Sequence, residues 1–247
     1  MAVRGLAASI GLMACSVLQA QHLSVDRPDY TESPNLTGRQ RLQLEQGLYV
    51  AENRIDPSIN FRQRLGSSTE LRCLASGADG LEWGGKWVSN GDRSNRLGVI
   101  GSFNVRKQAF RFIAAGEHDL KKFTFSWNAG GVHQDRTLAP WLTLGAACKL
   151  GSSIQILGEW VYLPGVWHDA PQFNFGALYF VGPWALDVLI EPSSLHRGWG
   201  VHLGATTSVS WERLKQAIPR RPWSRRIPQE AIAAGGEFGG GSPAILR

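Results

Sequence analysis

The sequence predicts an all-β protein: an antiparallel up-and-down transmembrane β-barrel of about twelve strands, with an N-terminal signal peptide and a disordered C-terminal tail. Three observations carry that expectation. From Arg41 to Trp211 apolar and polar residues alternate with period two, interrupted by turn residues about every 8 to 14 positions. Tryptophan (10) and glycine (29) are frequent while charged residues make up only 19%, which suits many strands, tight turns and an aromatic girdle. Beyond residue 20 no segment approaches the ~18 uninterrupted apolar residues of a membrane helix, which leaves strands as the means of crossing.

Residues 1–20 read as an export signal, with Arg4 as the positive n-region and Leu6–Leu18 as the apolar run. A small residue, Ala20, stands at the cut, leaving Gln21 as the mature start. Leu12-Met13-Ala14-Cys15 offers a second, lipoprotein-like cleavage site with an unusually short apolar run, and ranks behind the first. Residues 21–40 precede the first strand, and Asp26, Arg27 and Glu32 are expected to tuck into the periplasmic mouth as a small plug. The alternative is an ordered entry segment that the prolines at 28 and 34 simply stiffen.

The barrel is expected over residues 41–211. Strand 1 sets Leu42, Leu44 and Leu48 against Gln43, Glu45 and Tyr49, and strand 2 sets Ile59, Phe61 and Leu65 against Asn60, Arg62 and Arg64. Gly66-Ser67-Ser68 turns into strand 3, where Leu71 and Cys73 oppose Glu70 and Arg72. Asp79-Gly80 is a hairpin signal before strand 4, which opposes Leu81, Trp83 and Trp87 to Glu82 and Lys86. Asn90-Gly91 leads to strand 5 (Leu97, Val99, Phe103). Phe110–Ala115, the least regular stretch, is read as strand 6. Strand 7 alternates Phe123, Phe125 and Trp127 with Thr124, Ser126 and Asn128. Strands 8 to 12 follow with Leu142–Leu150, Ile154–Trp160 around Glu159, Phe173–Val181, Leu186–Ile190 around Asp187, and the long run Trp199–Trp211. No strand is expected to hold an interior proline, with Pro57, Pro140 and Pro192 placed at ends or between strands.

The apolar face is expected to meet lipid. Trp160, Trp184, Trp199 and Trp211 lie near strand ends, where an interfacial girdle would sit. Strand 12 is framed by tryptophans, and its length at ~3.3 Å per residue and ~40° tilt spans roughly one hydrocarbon thickness. The opposite face carries both charge signs and reads as a polar lumen lined by Glu45, Arg62, Arg64, Glu70, Arg72, Glu82, Lys86, Asn128, Glu159 and Asp187. Charges pointing into a narrow barrel must be paired or wet. Neighbouring strands offer Arg62 or Arg64 with Glu70, Arg72 with Glu82, and Glu45 with Arg62. An even strand count returns both termini to the periplasm, so the turns at Gly66, Asn90, Gly151 and Gly182 would face inward, and the loops near Asp79, Asp135, Asp169 and His196 outward.

The net charge of +6 does not mark a nucleic-acid binder. Gln21–Trp211 holds 18 Lys/Arg against 17 Asp/Glu, whereas residues 212–247 hold 7 against 3. The excess therefore sits mainly in a basic, Pro- and Gly-rich tail, with Arg220, Arg221, Arg225 and Arg226 around Trp223, and no basic stripe crosses the body. Cys73 and Cys148 fall on the apolar face of distant strands and are not expected to bridge. No His/Asp/Glu group has metal-ligand spacing, so no metal and no cofactor is expected. A lipid hydrolase would need a Ser-His-acid set; His133, His168, His196 and His202 are available, but none lies beside a nucleophile motif. A soluble periplasmic ligand-binding barrel would need an apolar pocket where this chain has charges.

One motif goes beyond periodicity. Asp26-Arg27-Pro28-Asp29-Tyr30-Thr31-Glu32-Ser33-Pro34, followed by Leu42-Gln43-Leu44-Glu45-Gln46-Gly47, resembles the phenol-degradation (meta-pathway) outer-membrane family. The similarity continues around Arg62–Arg72 and at Lys86, Asn128 and Glu159. The resemblance implies an outer-membrane barrel that passes small, often aromatic, molecules and does no chemistry on them. Its partners would be outer-membrane lipid, the barrel-insertion machinery and a solute that the resemblance does not name. The chain departs from the pattern by running on past Trp211, where such barrels stop at a terminal aromatic.

Overall fold

The computed structural model describes residues 31–89, 94–164, 170–192 and 199–217. The signal segment, Asp26, Arg27 and Pro28, the Asn90 turn, the loops at His168, Asp169 and His196, and the tail beyond Ala217 lie outside the described residues. Twelve strands follow one another: β1 (Arg41–Ala51), β2 (Arg54–Arg64), β3 (Thr69–Ser76), β4 (Gly80–Val88), β5 (Asn95–Asn104), β6 (Ala109–Leu120), β7 (Phe123–Gln134), β8 (Thr137–Lys149), β9 (Ile154–Tyr162), β10 (Gln172–Val181), β11 (Trp184–Pro192) and β12 (Trp199–Ser210). Each is antiparallel to the next, and β1 pairs with β12 to close the barrel. Closure removes every sheet edge, so the backbone donors and acceptors are satisfied between strands.

The alternation that defines the strands also sorts their side chains. Phe61, Trp83, Phe103, Phe112, Phe125 and Leu144 stand exposed on the outer face, and Cys73 and Cys148 are free thiols on the same face. The inner face buries Gln43, Glu45, Arg62, Glu70, Lys86 and Asn174. The polar lumen is interrupted, however, by an inward apolar patch of Ile100, Ile113, Val132, Trp141 and Val161 from β5 to β9. That patch explains why strand 6 alternates so poorly in the sequence. β6 runs for 12 residues, longer than Phe110–Ala115, but its inner positions include Ile113 and Ala115, so both its faces are partly apolar.

Three boundaries differ from the sequence expectation. Pro57 and Pro140 lie inside β2 and β8, paired with Leu48 and Gly131. Both are exposed and close to the start of their strands, and the Pro57 carbonyl still accepts the Gly77 N–H at 3.0 Å, so each position forfeits only one donor near the rim. Strand 12 ends at Ser210 rather than Trp211. The Trp211 N–H adds one last rung by donating to the Gln40 carbonyl at 2.9 Å, and the chain then turns into a short helix, α1 (Trp211–Ala217), where an unstructured tail was expected. Its first turn holds Glu212, a favourable charge at a helix N-terminus. At the β7–β8 turn, Asp135 and Arg136 both take positive φ (49° and 66°), as a tight two-residue hairpin requires.

The turns after β2, β4, β6, β8 and β10 gather at the end where β1 begins, the N-terminal rim. The remaining turns gather at the opposite rim.

Candidate functional site

Residues 31–40 do not stay outside the barrel. They form a strap across the lumen, and the polar residues that point inward from β2 to β9 hold it there. Thr31 donates its hydroxyl to Glu159 Oε1 on β9 at 2.5 Å. Glu32 pairs with Asn128 on β7 as one peptide group pairs with another: its N–H donates to Asn128 Oδ1 at 2.6 Å, and its carbonyl accepts from Asn128 Nδ2 at 2.8 Å. The Glu32 carboxylate then reaches Arg72 Nη1 on β3 at 2.6 Å and Arg111 Nη2 on β6 at 3.3 Å. Lys86 Nζ on β4 donates to the Ser33 carbonyl at 2.6 Å. Ser33 and Asn35 both donate to the Glu117 carboxylate on β6, which Arg96 also meets at 3.1 Å.

Beneath the end of the strap lies the tightest charge cluster. Arg62 has no exposed side-chain surface, and it bridges Glu45 (3.0 Å) on β1 and Glu70 (2.8 Å) on β3. Its third direction is taken by the Asn35 carbonyl, and Glu70 accepts the Thr37 N–H at 2.7 Å. Glu45 is completed by Asn60 and Gln43, each donating at 2.8 Å. A buried charge pair of this kind is tolerable because the remaining donors and acceptors are satisfied.

Two of the expected pairings are corrected. Arg64 does not reach Glu70: at the N-terminal rim its guanidinium turns out to the carbonyls of Gly66 (2.7 Å) and Ser67. Arg72 pairs with Glu32 of the strap, and Glu82 instead takes Arg111 at 2.8 Å. Asp187 is buried on the inner face of β11, over Gly204. Of the plug residues, Thr31, Glu32 and Ser33 make lumen bonds, and Pro34 packs against Gly98.

Several residues of the site were not foreseen. Arg111 and Glu117 escaped notice because β6 lacks clear alternation, and Arg96 precedes Leu97, the first position read as strand 5. Asn35 and Thr37 act partly through backbone groups, which carry no sequence signal. A second inward group lies towards the opposite rim. Glu191 Oε1 is 3.3 Å from His202 Nε2, and the His202 ring lies against Tyr49 with centroids 4.6 Å apart. Tyr49 fits because β12 has Gly200 beneath it, where a Cβ would stand 2.5 Å from the phenol oxygen. Among the described residues no group of three metal-ligating side chains exists, and no histidine is hydrogen-bonded to a serine hydroxyl.

Burial alone would raise the Glu32 carboxyl, but the charges of Arg72, Arg111 and Lys86 outweigh it and hold Glu32 well below the ordinary value of 4.5. A depressed carboxyl contributes stability above its unfolded value and loses it as pH falls through the folded value. The strap is therefore expected to stay docked from neutral pH to about pH 5 and to loosen only in stronger acid. Protease accessibility of the strap recorded against pH should be flat over the first range and rise below it. Glu32→Gln should remove the acid step, and a step that persists in that variant would place the responsible group elsewhere.

No family model matches the chain, and no curated protein sequence matches it significantly. Solved structures do match. The KdgM porin superposes with a TM-score of 0.59 at 12% identity, over 68% of this chain and 99% of the porin. The KdgM porin in complex with disordered oligogalacturonate gives 0.56 at 12% identity, over 68% and 99%. The NanC porin in a rhombohedral crystal form gives 0.51 at 8% identity, over 67% and 98%. At these identities the likeness is one of fold: the chain has the architecture of a porin barrel.

Proposed function

We propose that the chain is a bacterial outer-membrane channel that passes small molecules through a lumen narrowed by its own N-terminal strap. The observation that carries this reading is the inversion of the barrel. Large apolar side chains are exposed around its outside, and charged and polar ones are buried within. Water does not favour an apolar belt of this extent on a soluble protein, whereas lipid does. The porin fold of the structural neighbours supports the outer membrane as its location, with lipid around the belt and the barrel-insertion machinery as the route of assembly. In that membrane the N-terminal rim faces the periplasm and the loops near Asp79 and Asp135 face out. Residues 1–20 act as the export signal, and residues 212–247 are dispensable for the barrel.

The strap motif supports membership of the phenol-degradation outer-membrane family. The inward patch of Ile113, Val132 and Trp141 supports solutes with an aromatic part, since it gives such a part an apolar wall to pass. Purified full-length protein, refolded into planar bilayers, should give discrete single-channel steps, and the native protein should leave cell envelopes only with detergent. Recovery in a periplasmic wash, or bilayers that stay silent with correctly folded protein, would refute the proposal.

A further inference from the structure

The two halves of the lumen wall differ in charge. The inner face of β1–β6 carries arginines and Lys86 interleaved with carboxylates, and the strap lies against much of that wall. Strands β9–β12 contain no Lys or Arg at all, and on their inner face stand Glu159, Asp187 and Glu191, all buried. The hydrogen bonds described for Thr31–Thr37 run to β2–β7 and β9, and none of them reaches the inner face of β10–β12.

Among the described residues, several buried polar groups on that wall lack partners. Phe175 pairs with Ile190, which sets Asn174 beside Glu191 at the next rung, with Gln172 one inward position further along β10. Asn174 has no exposed surface, and its Nδ2 donates to Glu159 at 3.1 Å while its Oδ1 has no donor. Glu191 is 5% exposed; among the described residues its Oε2 has no donor, and the His202 ring stands near its other oxygen. Gln172 is 8% exposed, and its Nε2 has no acceptor. Leaving such groups unmet is costly, so the wall is complementary to whatever meets them. Two acceptors, one of them a carboxylate, beside one donor describe the complement of an ammonium group with a nearby hydroxyl or carbonyl.

We infer that the β10–β12 wall is a binding subsite for small organic cations bearing an adjacent hydrogen-bond acceptor, with Glu191 holding the positive group, Asn174 Oδ1 accepting a second N–H, and Gln172 donating to the acceptor. The inference rests on the channel reading and names the solute charge it favours. Chloride and anionic solutes find no Lys or Arg along β9–β12 and are disfavoured there.

Full-length protein in a planar bilayer under a KCl gradient should show a reversal potential favouring K⁺ over Cl⁻ by roughly fivefold or more. Glu191→Gln should bring the ratio close to unity, and Gln172→Lys, which brings a cation to the same wall, should push it below unity. Ethanolammonium, used as the probe, should reduce the K⁺ current of the parent and not that of Glu191→Gln. A conducting barrel with no cation preference, or one whose preference survives both substitutions, overturns the subsite and leaves the channel reading intact. A folded barrel with no conductance overturns the channel reading instead. The subsite is then read directly from the His202 ring proton signals of detergent-solubilised protein titrated with ethanolammonium. Movement in the parent that is lost in Glu191→Gln upholds the subsite, and no movement in the parent overturns it.

Discussion

Arg62→Ala should lower the unfolding free energy of the barrel by about 3–5 kcal/mol, the usual cost of stranding buried charges. The substitution removes a guanidinium that has no exposed surface and that meets Glu45 at 3.0 Å and Glu70 at 2.8 Å. Without it two carboxylates face each other in a closed space, and the Asn35 carbonyl loses one of its two donors, keeping only Lys86. Arg62→Lys should recover only part of the loss, because an ammonium cannot present the planar fork that spans both acids. Urea unfolding in detergent, followed by tryptophan fluorescence and heat-modifiable gel mobility, gives the number. Arg64→Ala is the matched control. Its guanidinium serves exposed turn carbonyls, and its loss should cost less than about 1 kcal/mol. If Arg62→Ala costs as little as the control, water reaches the cluster and the lumen at that level is open.

Deletion of Thr31–Asn35 should raise single-channel conductance at least about twofold, since a barrel of this size has little bore to spare. The strap meets β3, β4, β6, β7 and β9 within these few residues, and it brings Glu32 between Arg72 and Arg111. Its removal exposes those cations to the lumen, so the widened channel should also pass anions more freely than the parent. Stability should fall at the same time, because Lys86 loses two carbonyl acceptors and Arg72 loses Glu32. Lys86→Met offers a milder version: it loosens the strap at Ser33 and Asn35 without shortening the chain, and should raise the frequency of open events rather than their size. An unchanged conductance in the deletion would mean that solutes do not pass the level at which the strap crosses.

The strand count and the inside-outside sorting were legible in the sequence because they depend only on local geometry. Successive side chains on a strand point to opposite faces, so Leu42, Leu44 and Gln43, Glu45 declare their sides wherever β1 pairs. The same rule became hard to read in β6, where Ile113 and Ala115 point inward and erase the contrast. It could not show that Pro57 and Pro140 lie inside strands, since a rim residue that loses one donor leaves no mark on the apolar pattern. The lumen charges Glu45, Arg62 and Glu70 could be nominated as a group for a related reason: neighbouring strands with opposite charges on one face must bring some of them together. Which ones meet was decided only by the tertiary structure. Arg72 turns to Glu32, 40 residues away along the chain, although Glu82 stands on the adjacent strand, where it takes Arg111 instead. Glu191, His202 and Tyr49 come together only when β12 closes onto β1. Alternation is a property of each strand alone, whereas charge partners depend on the register around a closed ring and on a segment folded inside it, and neither is written in any local run of residues.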